Sequence, residues 1–195
     1  MTNTAFEKLP AFNKGRLIKL FREYAYKRGS FPLASGKTST YYFNSKSLLL
    51  LPEGAYLAAR ALMEKIRGCE VDAIGGAGIG AAPITGAMAV LCHLDPSFEG
   101  ITFFIDRKKP KEHGDKKRIE GPEIKEGAKI IVIEDVATTG SSAMNTVREF
   151  REKGYDVVRV VALLDRKEGA AALFAAEGIP FDSILSIDEL GVDLE

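Results

Sequence analysis

From Val71 onward the chain alternates between two kinds of segment, and this alternation restricts the fold more than any other feature. The runs VDAIGG, GITFFI, KIIVIE, VVRVVALL and FDSILSI are short, apolar and rich in β-branched or aromatic residues, as strands are. GIGAAPITGAMAVLC, SSAMNTVREFREKG and EGAAALFAAEG, which follow three of them, read as helices. Strands that are apolar throughout are buried on both faces. The expectation is an α/β fold with an open, mainly parallel, twisted sheet and helices on both of its faces.

The residues before Val71 predict a small additional layer. FNKGRLIKLFREYAYKRG places Leu17, Leu20, Phe21 and Tyr24 on one helical face, with Gly29 as the stop. FPLASGKTSTYYFN, Phe31 to Asn44, reads as two short strands around a Ser-Gly turn. PEGAYLAARALMEKIRG is a helix with Pro52 near its start and Gly68 at its end. With 195 residues the chain suits one globular domain.

Lys plus Arg equals Asp plus Glu at 27 each, which argues against bulk nucleic-acid binding. Cys69 and Cys92 are the only cysteines, so a disulfide framework is not expected and a reducing, cytoplasmic setting fits. MTNTAFEKLP lacks the pattern of a signal peptide, and AAPITGAMAVLC is too short to span a bilayer.

In open α/β sheets, ligands sit beyond the C-terminal ends of the strands. Three such ends carry unusual sequence: GGAGIGA, DRKKPKEHGDKKR and EDVATTGSS. In IIVIEDVATTGSS, Glu134 and Asp135 stand side by side where the apolar run ends. One acid would serve to cap the next helix, but adjacent acids repel and need solvent, a cation or hydroxyl donors. The small loop behind them can turn backbone N–H groups inward, and a helix N-terminus follows. Acids beside an anion cradle suggest a phosphorylated polyol. Gly76-Ala77-Gly78-Ile79-Gly80-Ala81 satisfies G-x-G-x-x-A, which fits a dinucleotide site or a pyrophosphate loop. The acidic pair downstream favours the second. The run from Asp106 to Glu120 reads either as a solvated loop or as a cationic lid over a polyanion.

IIVIEDVATTGSS resembles the 5-phosphoribosyl-1-pyrophosphate motif of the type I phosphoribosyltransferases. The Arg107, Lys108, Lys111, His113 and Gly114 arrangement resembles orotate phosphoribosyltransferases, as do FPLASGKTSTYYFN and LLDRKEGA. The four motifs occur in that family's order between Phe31 and Ala170. The resemblance implies transfer of ribose 5-phosphate from 5-phosphoribosyl-1-pyrophosphate to orotate, giving orotidine 5′-monophosphate in pyrimidine biosynthesis. It implies one domain over 1–195, with a hood from 1–50 and 180–195 and a lid at 106–121.

The resemblance also implies residue roles. Glu134 and Asp135 would hold the ribose hydroxyls. Val136, Ala137, Thr138, Thr139, Gly140, Ser141 and Ser142 would cradle the 5-phosphate. Gly76, Ala77, Gly78, Arg107, Lys108, Lys111 and His113 would meet pyrophosphate, with Lys111 and His113 counted as catalytic beside the acids. Arg166 would pair with the orotate carboxylate, aided by Thr138, while Tyr42 and Phe43 line the pyrimidine. Mg²⁺ would be held mainly by substrate oxygens and water. A homodimer with shared active sites is implied, with no nucleic-acid or membrane partner.

The chain departs from that pattern at Ala34, where a lysine is common, at Gly76 and Ala82, where other members carry proline and aspartate, and at Lys109. The rivals are a purine or uracil phosphoribosyltransferase, a non-catalytic regulator that senses 5-phosphoribosyl-1-pyrophosphate, and a nicotinamide-dependent enzyme. Arg166 speaks against the first, and the neutral charge and short N-terminal segment against the second.

Overall fold

The computed structural model describes residues 5–32, 38–107 and 118–192. A six-stranded sheet forms the centre. Its strands are β3 (Ala73–Ala77), β4 (Thr102–Asp106), β5 (Ile119–Glu120), β6 (Lys129–Ala137), β7 (Asp156–Asp165) and β8 (Phe181–Ser186). They lie in the order β5-β4-β3-β6-β7-β8. All neighbours are parallel except β5, which runs antiparallel to β4 at one edge.

The apolar runs divide between two cores. In β6 and β7, Ile131, Ile133, Val161 and Leu163 join a cluster that includes helix α3 (Pro52–Ile66) and helix α4 (Ala82–His93). The intervening Ile130, Val132, Val160 and Ala162 face helix α5 (Ser141–Glu152) and helix α6 (Ala170–Ala176). Period-two alternation thus buries both faces of the sheet, as the unbroken apolar runs require.

The strand order reverses between β3 and β6: from β3 the chain moves first to β4 on one side, then to β6 on the other. Their C-terminal ends therefore flank a topological switch point, where helices diverge and leave a crevice.

The N-terminal layer differs from the sequence expectation. Helix α1 (Lys14–Leu20) passes into one π-helical turn, Phe21–Ala25, closed by the Tyr26 N–H donating to the Phe21 carbonyl. The extra residue shifts the helix phase. Leu17, Phe21 and Ala25 are fully buried, whereas Tyr24 is 40% exposed instead of lying on the buried face. The helix does not reach Gly29, because strand β1 (Tyr26–Pro32) has already begun. Gly29 sits in a register slip between Arg28 and Phe31. Strand β2 (Thr38–Phe43) pairs antiparallel with β1, and the Ser35-Gly36 turn and Ala34 lie outside the described residues. A short helix α2 (Ser45–Leu49), not expected from the sequence, links the hairpin to α3. At the other end, helix α7 (Ile187–Leu190) closes onto α1: Lys14 Nζ lies 2.5 Å from Glu189 Oε1, and Arg22 donates to the Leu190 carbonyl.

Candidate active site

The acids lie inside β6 rather than beyond it. Pairing with β7 continues to Ala137↔Asp165, because β7 is equally long, but pairing with β3 ends at Gly76↔Ile133. From Glu134 onward the strand is laddered on one side only and borders the crevice on the other. The two-residue period sends the carboxylates to opposite faces. Asp135 leaves on the side of Ile131 and Ile133 and accepts a hydrogen bond from Ser45 Oγ at the start of α2. Glu134 is 6% exposed.

The turn after β3 meets Asp135 directly. A Cβ on Gly80 would stand 2.3 Å from Asp135 Oδ2, so only a residue without a side chain admits the carboxylate where it lies. Gly76 and Ala77 are inside β3, and the Gly78 N–H donates to the Asp106 carbonyl at 2.8 Å. The Gly78 amide is thus committed to the fold, and within the turn it is Gly80 that approaches Asp135.

Past Ala137 the chain forms a tight loop into α5. Gly140 has φ 81°, a left-handed conformation, and a Cβ there would lie 3.0 Å from the Phe174 ring. Its glycine is required twice, by conformation and by space. Thr139 and Ser141 hydroxyls are hydrogen-bonded to each other. The first N–H groups of the twelve-residue helix α5 have no intrahelical acceptors and, with the helix dipole, favour an anion. Val136, Ala137, Thr138, Thr139, Gly140, Ser141 and Ser142 all line one cleft of about 470 Å³ with Glu134, Asp135 and Arg166.

Arg166 reaches this cleft from the end of β7. Its N–H donates to the Ala137 carbonyl at 2.9 Å, its side chain is 10% exposed, and Nη2 lies 2.7 Å from Glu168 Oε1. The guanidinium carbon stands 4.8 Å from the Tyr41 ring centroid and 5.9 Å from that of Phe43. Hairpin alternation explains this: Tyr41 and Phe43 share the inner face of β2, and Tyr42 packs on Phe31 with ring centroids 5.5 Å apart. Phe43 and Tyr42 both border the cleft. Tyr41, Ser45, Gly80 and Glu168 are therefore site neighbours that the sequence reading missed.

At the cationic stretch, Arg107 is described and forms an ion pair with Glu120 at 3.1 Å. Lys108, Lys109, Lys111 and His113 lie outside the described residues. The feet of that segment are joined: the Arg107 N–H donates to the Arg118 carbonyl at 3.0 Å, and Arg118 grips the buried Asp106 carboxylate at 2.6 and 2.7 Å. The Asp106 hydrogen bond holds the Arg118 guanidinium above its ordinary pKa. Cys92 offers no nucleophile, because burial pushes its thiol up to about 12.

No protein-family model matches the chain. An orotate phosphoribosyltransferase of Bradyrhizobium diazoefficiens is 42% identical over 180 residues, which cover 91% of this chain and 95% of the relative. A phosphoribosyltransferase structure from Corynebacterium diphtheriae superposes with a TM-score of 0.79 at 34% identity, covering 92% of this chain and 98% of that one. The Mycobacterium tuberculosis orotate phosphoribosyltransferase in complex with 5-phospho-α-D-ribosyl 1-diphosphate superposes with a TM-score of 0.75 at 30% identity, covering 92% and 99%. Fold and switch-point cleft define a type I phosphoribosyltransferase. Within that class, the identity shared along nearly the whole chain is decisive: the chain belongs to the orotate phosphoribosyltransferase family.

Proposed function

We propose that this cleft transfers ribose 5-phosphate from 5-phosphoribosyl-1-pyrophosphate to a ring nitrogen of orotate, releasing pyrophosphate. The observation that carries the reading is the meeting of three chemistries in one cleft: the acid pair, the N-terminus of α5 and Arg166. The α5 N-terminus and the Thr138, Thr139, Ser141 and Ser142 hydroxyls take the 5-phosphate. Glu134 and Asp135 accept hydrogen bonds from the ribose hydroxyls. Their negative charge also opposes the positive charge that develops on the sugar as the bond to pyrophosphate breaks. Ser45 and the Gly80 turn fix Asp135 for that task.

Arg166 takes the carboxylate of orotate, a contact that a purine or uracil cannot make. Phe43, Tyr42 and Thr138 border the ring. Arg107, Lys108, Lys111 and His113 receive the pyrophosphate, with backbone donors at the turn after β3, where Gly76, Ala77 and Gly78 set the approach. The hard carboxylate oxygens at the cleft fit a hard cation carried in by a polyphosphate. Mg²⁺, when bound, neutralises charge on the leaving pyrophosphate. A homodimer with shared sites in the cytoplasm completes the reading; among the described residues no helix is long and apolar enough to cross a membrane.

The test is loss of orotate absorbance. Loss that requires both 5-phosphoribosyl-1-pyrophosphate and Mg²⁺ supports the reading. No loss with orotate, alongside turnover of uracil or a purine, overturns it.

A further inference from the structure

Lys167 is the one non-glycine residue with positive φ among the described residues, at 56°, and it sits between Arg166 and Glu168. Such a conformation is uncommon outside glycine and persists where the surroundings enforce it. Here Asp165 Oδ1 accepts from the Lys167 N–H at 2.8 Å, and Lys167 Nζ pairs with Asp188. The turn folds the chain back so that Glu168 lands on the guanidinium two residues before it. Glu168 Oε1 lies 2.7 Å from Arg166 Nη2 and accepts from the Tyr41 hydroxyl at 3.4 Å.

Arg166 does not need Glu168 to hold its place. Its backbone is pinned to Ala137, its stem is buried, and Tyr41 and Phe43 flank the guanidinium. Guanidinium donors point only in the plane of the group. Nε is sealed from solvent and has no hydrogen-bond partner, so Arg166 meets the cleft through its Nη edge. That is the edge Glu168 holds. The Glu168 side chain is 39% exposed, so water can take its carboxylate when it leaves.

We propose that Glu168 is an exchange carboxylate: it occupies the substrate-carboxylate seat on Arg166 in the empty enzyme, yields it to orotate, and takes it back as the carboxylated nucleotide leaves. The inference rests on the orotate reading of the cleft. Glu168 thereby weakens the binding of both orotate and orotidine 5′-monophosphate, and keeps the product from being trapped on Arg166. Ligands without a carboxylate do not compete for the seat.

The experiment compares wild type with Glu168→Gln, which keeps shape and removes charge. The readouts are KM for orotate, KM for 5-phosphoribosyl-1-pyrophosphate, and inhibition constants for orotidine and uridine 5′-monophosphates. A partly exposed ion pair accounts for a modest change. The orotate KM and the orotidylate inhibition constant are expected to fall about two- to fivefold, with the other two constants within twofold. Product inhibition should then set in earlier during full time courses. Unchanged or weaker orotate and orotidylate binding overturns the proposal, as does an equal shift for uridylate. Absence of orotate turnover in wild type is a different failure, that of the orotate reading itself. Glu168→Ala serves as a second variant and should move the same constants in the same direction.

Discussion

A Cβ built on Gly80 would stand 2.3 Å from Asp135 Oδ2, so the turn after β3 and the acid pair of β6 are fitted to each other across the switch point. Gly80 does not have a left-handed φ, so alanine is allowed by the backbone and objectionable only to the carboxylate. Gly80→Ala is therefore a probe of where Asp135 must be. The expected result is a drop in turnover of about tenfold or more, from displacement of a positioned group, with the thermal midpoint little changed. Turnover near wild type would show that the carboxylate tolerates displacement.

Asp135→Asn keeps the shape and the Ser45 contact while removing the charge. The fold should be retained, because Asp135 is only half-buried at the rim of the sheet. Most turnover should be lost, since the charge serves the sugar cation. Near-normal rates in a steady-state assay would reduce the pair to a structural element.

Arg166→Ala should separate the two substrates. A lost charge-assisted contact to a carboxylate costs on the order of 1.5–3 kcal/mol, or about 10- to 150-fold in the orotate KM. The KM for 5-phosphoribosyl-1-pyrophosphate should change far less. Equal weakening of both would place Arg166 outside the orotate seat.

Gly75→Ala tests the sheet that carries the site. Gly75 is the register partner of Phe104 on β4, and a Cβ would lie 2.3 Å from that ring, which is 1% exposed. The ring covers the glycine and has nowhere to retreat. Overpacking of this kind costs about 1–3 kcal/mol, which for a domain of this size lowers the thermal midpoint by about 3–10 °C. A midpoint within a degree of wild type would mean that the ring repacks freely.

The parallel sheet was legible because its strands are buried on both faces and so are apolar without interruption, as in KIIVIE and VVRVVALL. The acid pair was legible because two adjacent carboxylates at the end of such a run conflict with burial. Arg166 was legible only through the resemblance of LLDRKEGA, since one arginine after a strand has no local signature. Residues brought in by distant elements left no pattern. Ser45 meets Asp135 across 90 positions, and Tyr41 meets Glu168 across 127. That Tyr41 stands over Arg166 while Tyr42 borders the cleft depends on the phase of one hairpin strand, which a run of three aromatics cannot reveal. The misplaced Tyr24 has a similar cause: one π-helical turn adds a residue, and no side chain in FREYA announces it.

The closure of the chain's two ends predicts a specific acid response. Glu189 accepts from the Ser186 N–H at 2.9 Å in the capping box of α7 and lies 2.5 Å from Lys14 on α1. The Lys14 hydrogen bond first, and the Ser186 amide second, hold its carboxyl below the usual carboxylate range. A carboxyl lowered on folding adds stability at pH values above its unfolded pKa, near 4.5, and loses it as the pH falls through the lower folded value. Both partners are more than a third exposed, so the ion pair itself adds little and the cap carries most of the effect. Glu189→Gln should lower the thermal midpoint at pH 7 by about 1–4 °C, the consequence of weakening a cap by roughly 0.5–1 kcal/mol. As the pH falls below 4.5 and through the lowered folded pKa, the wild-type carboxyl protonates, and the gap between the two proteins should narrow toward zero. Lys14→Met should reproduce only a small part of the loss at pH 7, because it leaves the Ser186 contact in place. Melting curves of the three proteins across pH 3–7 decide the matter: a gap that stays constant with pH would remove Glu189 ionisation from the closure of the two ends.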